Sequence, residues 1–231
     1  MEIIQKKSPN FYKGRNGYTP DMIVCHLTEG AFDGSVSWIL NKESQVSYHF
    51  IVAKDGRIVQ AVDLMDGAWG NGTNNSSDSY GNQFSTLALV RERKTNANYY
   101  TISIGFEGKQ AESKGVLTPQ QLEAAVWLIE HINSQFTIPF NRQHIVAHSE
   151  VVPKAKPYCP GAQFPFEEII ARLNAGAGRF NTVAEMPKWA QKEVTELIER
   201  GFLKGTGEGL DLSEDMIRCM IFTKRMVDAV R

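Results

Sequence analysis

Two apolar runs of this chain each end on a histidine, and a cysteine follows the second run. The runs are Ile23–His26 and Ile145–His148, and the thiol is Cys159 in a loop rich in proline and glycine. Their β-branched residues favour short buried strands, so each histidine is expected at a strand end. Two imidazoles and one thiolate make a three-ligand zinc site that leaves a fourth position for water, which distinguishes catalytic from structural zinc. The pattern predicts a catalytic Zn²⁺ site at His26, His148 and Cys159.

The other candidate ligand is His144, which lies four residues before His148 and could share a helical face with it. The β-branched Ile145 and Val146 between them favour a strand, and the chain has no His-Glu-x-x-His motif. We therefore interpret His144 as a structural residue or as one that supports a ligand.

The two remaining cysteines are interpreted as core residues. Cys25 precedes His26 in a strand and should point to the opposite face, and Cys219 lies in an apolar late helix.

Zinc hydrolysis also needs a carboxylate that moves protons and a group that stabilises negative charge on the substrate oxygen. Glu107 is the best candidate base, because it ends the strand Thr101–Glu107 on the face opposite the isoleucines. Tyr48 and His49 alternate in another strand, so only one can face the site, and we favour Tyr48.

The composition excludes several functions. Net charge is −1, so no basic surface is available to hold nucleic acid. No run approaches about 18 apolar residues, so membrane insertion is not expected. Three scattered cysteines do not form a disulfide framework. The start of the chain lacks a signal core, so synthesis in the cytoplasm and export by another route are expected.

Strand and helix signals alternate in the first part of the chain and predict an α/β fold, with a mixed central β-sheet flanked by helices. A β-hairpin turns at Lys54–Gly56, Asp33 is a candidate helix cap, and residues 63–98 read as long loops. Thr118 begins a helix with a capping box.

A glycine-rich linker at Leu173–Gly178 divides a catalytic domain, residues 1–174, from a small all-α module, residues 181–231. The module should contain the helices Pro187–Arg200 and one capped by Ser213. Two amphipathic helices bury little surface, so the module is expected to need a partner surface or to form a homodimer.

Seven motifs between roughly residues 20 and 170 together resemble one enzyme family. The chain is similar to the type 2 N-acetylmuramoyl-L-alanine amidases, zinc enzymes of phage endolysins, autolysins and peptidoglycan recycling. The motifs are Ile23–Thr28, Val46–Phe50, Asp55–Gly56, Ala68–Trp69, Ser103–Glu107, His148–Glu150 and Cys159–Gly161.

The resemblance implies that His26, His148 and Cys159 bind zinc, that Glu107 is the catalytic glutamate and that Tyr48 is the active-site tyrosine. Many members carry a lysine two residues before the last ligand. That position is Pro157 here, so the neighbouring Lys156 is expected to serve, or Tyr48 alone.

Substrate contacts are expected at Trp69, Asn71 and Thr28, with a difference from the family near the cleft. The usual Ala-Trp-His-Ala-Gly reads Ala68–Gly72 here with glycine and asparagine in place of His-Ala.

The expected reaction is hydrolysis of the amide between N-acetylmuramic acid and L-alanine of bacterial cell-wall peptidoglycan. A phage or prophage endolysin released by a holin fits the sequence, with an autolysin as the other source. Two alternatives stay open: a peptidoglycan-binding module without catalysis, and a zinc amidohydrolase acting on another peptide-like amide.

Overall fold

The computed structural model describes residues 1–176, 180–205, 209–210 and 212–229, and the chain divides into two compact units. The first unit is Met1–Ile170 and the second is Ala171–Arg231. Residues 173–176 of the predicted linker continue a helix, because a single glycine costs a helix only about 1 kcal/mol. Positions 177 and 178 of that linker lie outside the described ranges.

Eight strands of the described residues build two sheets in the first unit. They are β1 (Ile3–Gln5), β2 (Phe11–Tyr12), β3 (Met22–Leu27), β4 (Phe50–Val52), β5 (Ile58–Gln60), β6 (Gly67–Ala68), β7 (Thr101–Phe106) and β8 (Ile145–Ala147). The main sheet has the order β1-β5-β4-β7-β3-β8, and β2 pairs with β6 separately. Its pairs are parallel except for the antiparallel hairpin of β4 and β5, so the mixed sheet predicted from the sequence is confirmed.

The strand β3 lies between β7 and β8, and all six of its residues are buried. A continuous apolar run is typical of a parallel strand that is covered on both faces. Cys25 pairs with Ala147 and His26 pairs with Gly105. Because the three strands are parallel, their carboxyl ends meet at one edge of the sheet, where a site can form.

Helices cover this sheet, as predicted. They are α1 (Phe32–Leu40), α2 (Ala88–Arg93), α3 (Gln110–Ser113), α4 (Pro119–Asn133), α5 (His148–Val151) and α6 (Phe166–Gly176). At the start of α4, Thr118 Oγ1 accepts a hydrogen bond from Gln121 N and Gln121 Oε1 accepts one from Thr118 N, both at 3.1 Å, which confirms the capping box.

Two local predictions were wrong. The N-cap of α1 is Ala31, and Asp33 lies in the first turn, where the helix dipole favours a carboxylate. Residues 63–98 contain α2 besides loops, because Val90 packs with Met22 and Tyr100 in a buried cluster. This short helix is stabilised by its tertiary packing, and its apolar residues do not show the helical spacing by which a sequence pattern predicts a helix.

The second unit contains α7 (Lys188–Glu199) and α8 (Glu214–Ala229), close to the predicted positions. Ser213 Oγ accepts from Met216 N at 3.2 Å, which confirms the cap, and Gly201 follows α7 with φ +74°. A small buried cluster joins the helices, with Met186, Ala190, Val194, Leu212, Ile217 and Ile221.

The apolar face of this unit is less covered than the pattern suggests. Cys219 is exposed and is not a core residue, because α8 turns Ile217 and Ile221 toward α7 and leaves Cys219 outside that contact. Trp189 and Ile198, two large apolar residues of α7, are 43% and 37% exposed. Among the described residues, no helix combines the length and apolarity that a membrane span requires.

Candidate metal centre and active site

Three side chains converge at the carboxyl edge of the main sheet. One ligand atom each of His26, His148 and Cys159 lies within 4.8 Å of the others. Cys159 Sγ is 3.9 Å from His26 Nδ1, and the two imidazole centroids are 4.3 Å apart. Tetrahedral zinc coordination places its nitrogen and sulfur ligands about 3.6 Å apart, so this donor set fits the metal.

The sequence produces this convergence through neighbouring strands and one loop. His26 is the fifth residue of β3, and His148 directly follows β8, which pairs with β3. The Cys159 loop is attached to the same edge, because Ser149 N donates to Cys159 O at 2.9 Å.

Burial sets the protonation of the three groups. It lowers the pKa of His26 to about 3 and holds the pKa of His148 well below its usual value, so both imidazoles are neutral and keep a lone pair for a metal. Burial raises the pKa of the Cys159 thiol to about 11. A metal ion must therefore displace the thiol proton, which makes binding release a proton.

Two cavities adjoin the three side chains. The ligand-side cavity has a volume of about 360 Å³ and the aromatic cavity about 510 Å³, and both are lined by Val46, Gly70, His148 and Lys156. The ligand-side cavity also contains His26, Leu27, Thr28, Glu29, Ser35, Trp38, Ile39, Tyr48 and Cys159. The aromatic cavity adds Tyr12, Gln45, Trp69, Gly72, Thr73, Asn74, Tyr80 and Asn98. An extended substrate could thus occupy both sides of the ligand cluster.

Tyr48 lies beside the cluster, with its ring centroid 4.9 Å from that of His26. Desolvation raises the pKa of Tyr48 above its usual range, so the hydroxyl keeps its proton and can donate a hydrogen bond to an oxyanion. The ring covers Gly105, where a Cβ atom would lie only 2.9 Å from Tyr48 Cδ2. Lys156, the expected substitute for the family lysine, lines both cavities.

Glu107 lies at the same sheet edge but lines neither cavity. Its Oε2 accepts a hydrogen bond of 2.7 Å from Lys54 N, in the β4–β5 turn. The carboxylate that lines the ligand-side cavity is Glu29, which the sequence patterns did not single out. Glu29 has φ +56°, and its Oε1 accepts from Gln110 N at 3.0 Å.

Of the three residues expected to contact substrate, two line a cavity and one is buried outside both cavities. Trp69 lines the aromatic cavity and packs against Tyr12, with centroids 5.5 Å apart. Thr28 lines the ligand-side cavity. Asn71 is only 1% exposed and lines neither cavity, since its Oδ1 lies 2.6 Å from His26 Nε2. The expectation that Asn71 contacts substrate is therefore corrected to a contact with a candidate ligand.

A buried polar network, missed by the sequence patterns, lies behind Tyr48. His49 is fully buried, with Nδ1 3.0 Å from Ser103 Oγ and Nε2 2.8 Å from the guanidinium of Arg15. Arg15 donates to the carbonyl oxygens of Leu64 and Thr101. Burial, with the Arg15 charge as a second cause, holds the pKa of His49 well below its usual value. Tyr48, and not His49, faces the ligand-side cavity.

His144 is outside the cluster. Its Nδ1 lies 2.6 Å from the carbonyl oxygen of Asp21, which precedes β3. This contact joins the segments before β3 and β8, so His144 has the structural position that the strand pattern indicated.

Comparison with known proteins identifies the class. Residues 16–162 match the family model Amidase_2, described as N-acetylmuramoyl-L-alanine amidase. The match spans well over half of the 231 residues, so the chain belongs to this family.

It is a peptidoglycan amidase, as its relatives indicate. N-acetylmuramoyl-L-alanine amidase A of Achromobacter lyticus is 25% identical over 173 residues, which cover 68% of this chain and 84% of that protein.

Solved structures share the fold. The endolysin N-acetylmuramoyl-L-alanine amidase LysCS of Clostridium intestinale is 24% identical with a TM-score of 0.50, over 75% of this chain and 95% of that one. The amidase AmiD of E. coli, solved with anhydro-N-acetylmuramic acid-L-Ala-D-gamma-Glu-L-Lys, is 23% identical with a TM-score of 0.52, over 87% and 76%.

Proposed function

We propose that this amidase is zinc-dependent and hydrolyses the amide between N-acetylmuramic acid and L-alanine, as a phage or prophage endolysin. The observation that carries the proposal is the convergence of two neutral imidazoles and one thiol within 4.8 Å, at the place where two cavities meet. Nitrogen and sulfur donors with no carboxylate among them are the ligands of zinc and not of magnesium or calcium.

His26, His148 and Cys159 would hold the ion, which when bound supplies a Lewis acid and lowers the pKa of a coordinated water toward about 7. Lys156 and the protonated Tyr48 stand at the cavity walls, where they can stabilise negative charge on the carbonyl oxygen of the scissile amide. Glu107 takes a proton from the attacking water and returns it to the leaving amine of L-alanine.

Glu29 is a second candidate for the proton-moving carboxylate, because it lines the ligand-side cavity while Glu107 bonds to Lys54 N. The variants Glu107→Gln and Glu29→Gln separate the two. Loss of the base should reduce turnover by about 10²–10⁴-fold with zinc still bound. A large loss in Glu29→Gln alone would move the role from Glu107 to Glu29.

Digestion of purified sacculi tests the reaction. Mass spectrometry should show intact glycan strands together with stem peptides that carry new L-alanine amino termini. Chelation should abolish release, and added Zn²⁺ should restore it. Binding to sacculi without release would support a recognition module, and cleavage of unrelated acylated peptides at equal rates would support a broader amidohydrolase.

We propose that the second unit targets the enzyme to the cell wall, with a homodimer as the assembled form. Phe202 and Phe222, 67% and 66% exposed, offer apolar faces to sugars or peptides. A chain ending at residue 178 should cleave soluble muropeptides as the full chain does but lose activity on intact cells. Equal lysis by both forms would contradict the targeting role, and sedimentation at two concentrations tests the dimer.

The proposed route to the wall is synthesis in the cytoplasm followed by holin-type release. Lysis should then require both the enzyme and a membrane pore when the enzyme is expressed inside a susceptible host. Lysis without the pore would contradict this route.

A further inference from the structure

A chain of buried hydrogen bonds begins at His26 and leads away from both cavities. Asn71 Oδ1 lies 2.6 Å from His26 Nε2, and Asn71 Nδ2 donates to Thr101 Oγ1 at 2.8 Å. Thr101 Oγ1 in turn donates to the carbonyl oxygen of Ala97 at 2.7 Å. Asn71 is 1% exposed and Thr101 is fully buried, so water cannot exchange for these partners.

This network fixes the direction of every bond in it. A threonine hydroxyl has one hydrogen, and here the Ala97 carbonyl accepts it, so Thr101 Oγ1 can only accept from Asn71. The Asn71 amide must therefore turn its NH₂ group to Thr101 and its oxygen to His26. Because an amide oxygen only accepts, His26 Nε2 carries the hydrogen, and the lone pair is on Nδ1, the atom 3.9 Å from Cys159 Sγ.

The backbone around Asn71 is held in the position from which its side chain contacts His26. Asn71 N donates to Asn98 Oδ1 at 2.7 Å, so the backbone of the residue is also held by a hydrogen bond. Gly70 brings the chain close to its neighbours, because a Cβ there would lie 2.8 Å from the Ser47 carbonyl oxygen.

We propose that Asn71 is a positioning residue for the metal centre: it selects the Nε2–H tautomer of His26 and holds the ring so that Nδ1 is presented to the ion. The inference rests on the zinc site proposed above. Partners of this kind orient ligating histidines, and their loss typically costs 10–100-fold in metal affinity.

Zinc affinity is measured by competition with a chromophoric chelator, and the His26 tautomer by ¹H–¹⁵N NMR of ¹⁵N-histidine-labelled metal-free protein. Asn71→Leu should weaken zinc binding about 10–100-fold and populate both tautomers. Thr101→Val removes the hydroxyl that orients the amide without touching His26, and should weaken binding about 2–10-fold. Thr101→Ser keeps the hydroxyl and should bind as the original chain does.

Asn82→Leu is the matched control, since Asn82 is 2% exposed and bonds Asn75, away from His26. It should leave zinc affinity and the tautomer unchanged. The Thr101 pair decides the question if Asn71→Leu does not fold.

Two results would overturn the inference: an Nδ1–H tautomer of His26 in the original chain, or zinc affinity in Asn71→Leu and Thr101→Val equal to that of Asn82→Leu. Failure of the original chain to bind zinc is a separate result, which refutes the proposed metal site, while the tautomer still reports whether Asn71 orients His26.

Discussion

A methyl group added at Gly105 should lower turnover at the site while leaving its candidate ligands in place. The new Cβ atom would lie 2.9 Å from Tyr48 Cδ2 and 3.1 Å from both Tyr48 Cε2 and Thr28 Cγ2. Gly105 itself pairs with His26 in the sheet, so the backbone at this position cannot easily retreat. The Tyr48 ring is the group that must move.

The size of the effect follows from the contact distances. Ordinary van der Waals contacts begin near 3.4 Å, so the ring has to shift by about 0.5 Å. Overpacking of this kind costs about 1–3 kcal/mol of stability. A misplacement of 1 Å can cost about 10²-fold in rate, so a shift of half that size should reduce turnover about tenfold.

The assay is release of L-alanine amino termini from sacculi, together with the zinc content and the melting temperature. The matched control is Gly34→Ala in α1, where a Cβ atom meets nothing within 4 Å. That change should preserve turnover and stabilise α1 at this exposed position by about 0.5–1 kcal/mol. Equal turnover in Gly105→Ala and Gly34→Ala would refute the role given to the Tyr48 position.

Three further outcomes are expected. Cys159→Ser should lose most bound zinc, by elemental analysis, yet keep its circular dichroism; full occupancy would show that the ligand set is wrong. Below about pH 6.5 the histidine at position 49 binds a proton in the unfolded chain but not in the native chain. The free energy of unfolding should therefore decrease as the pH is lowered below this value. In denaturant titrations at several pH values, the free energy of unfolding of His49→Gln should change less with pH than that of the original chain, by about 1.4 kcal/mol per pH unit. Lys224→Met should lower the melting temperature of the second unit, because Lys224 pairs with Glu193 and Glu196, and equal melting would exclude this contribution.

Short sequence patterns were sufficient to predict the features of the fold and site that depend on residues close together in the sequence. The β-branched residues before His26 and His148 predicted two strands, and both exist, as β3 and β8, which pair with each other in parallel. Tyr48 and His49 lie just before β4 and not in a strand as predicted, yet their side chains have different surroundings, as the predicted alternation required.

Contacts between distant segments could not be read from the sequence. Asn71 lies in a glycine-rich stretch that resembles a substrate loop, and only its bond to Thr101, 30 residues later, shows why it is buried. The direction of the Glu107 carboxylate depends on Lys54, 53 residues earlier. Such pairings follow from strand order, which periodicity and propensity do not encode.

The order of the strands also decides when the site can exist during folding. His26 and Cys159 are 133 residues apart in the sequence. Strand β3 must pair with β7 and β8 before these two side chains can approach each other. Closing loops of that length opposes early contact, and parallel sheets rich in distant pairings form slowly. Zinc added during refolding should therefore be captured last, so its uptake would time the completion of the sheet. A nascent chain still being synthesised would hold no ion until residue 159 had left the ribosome.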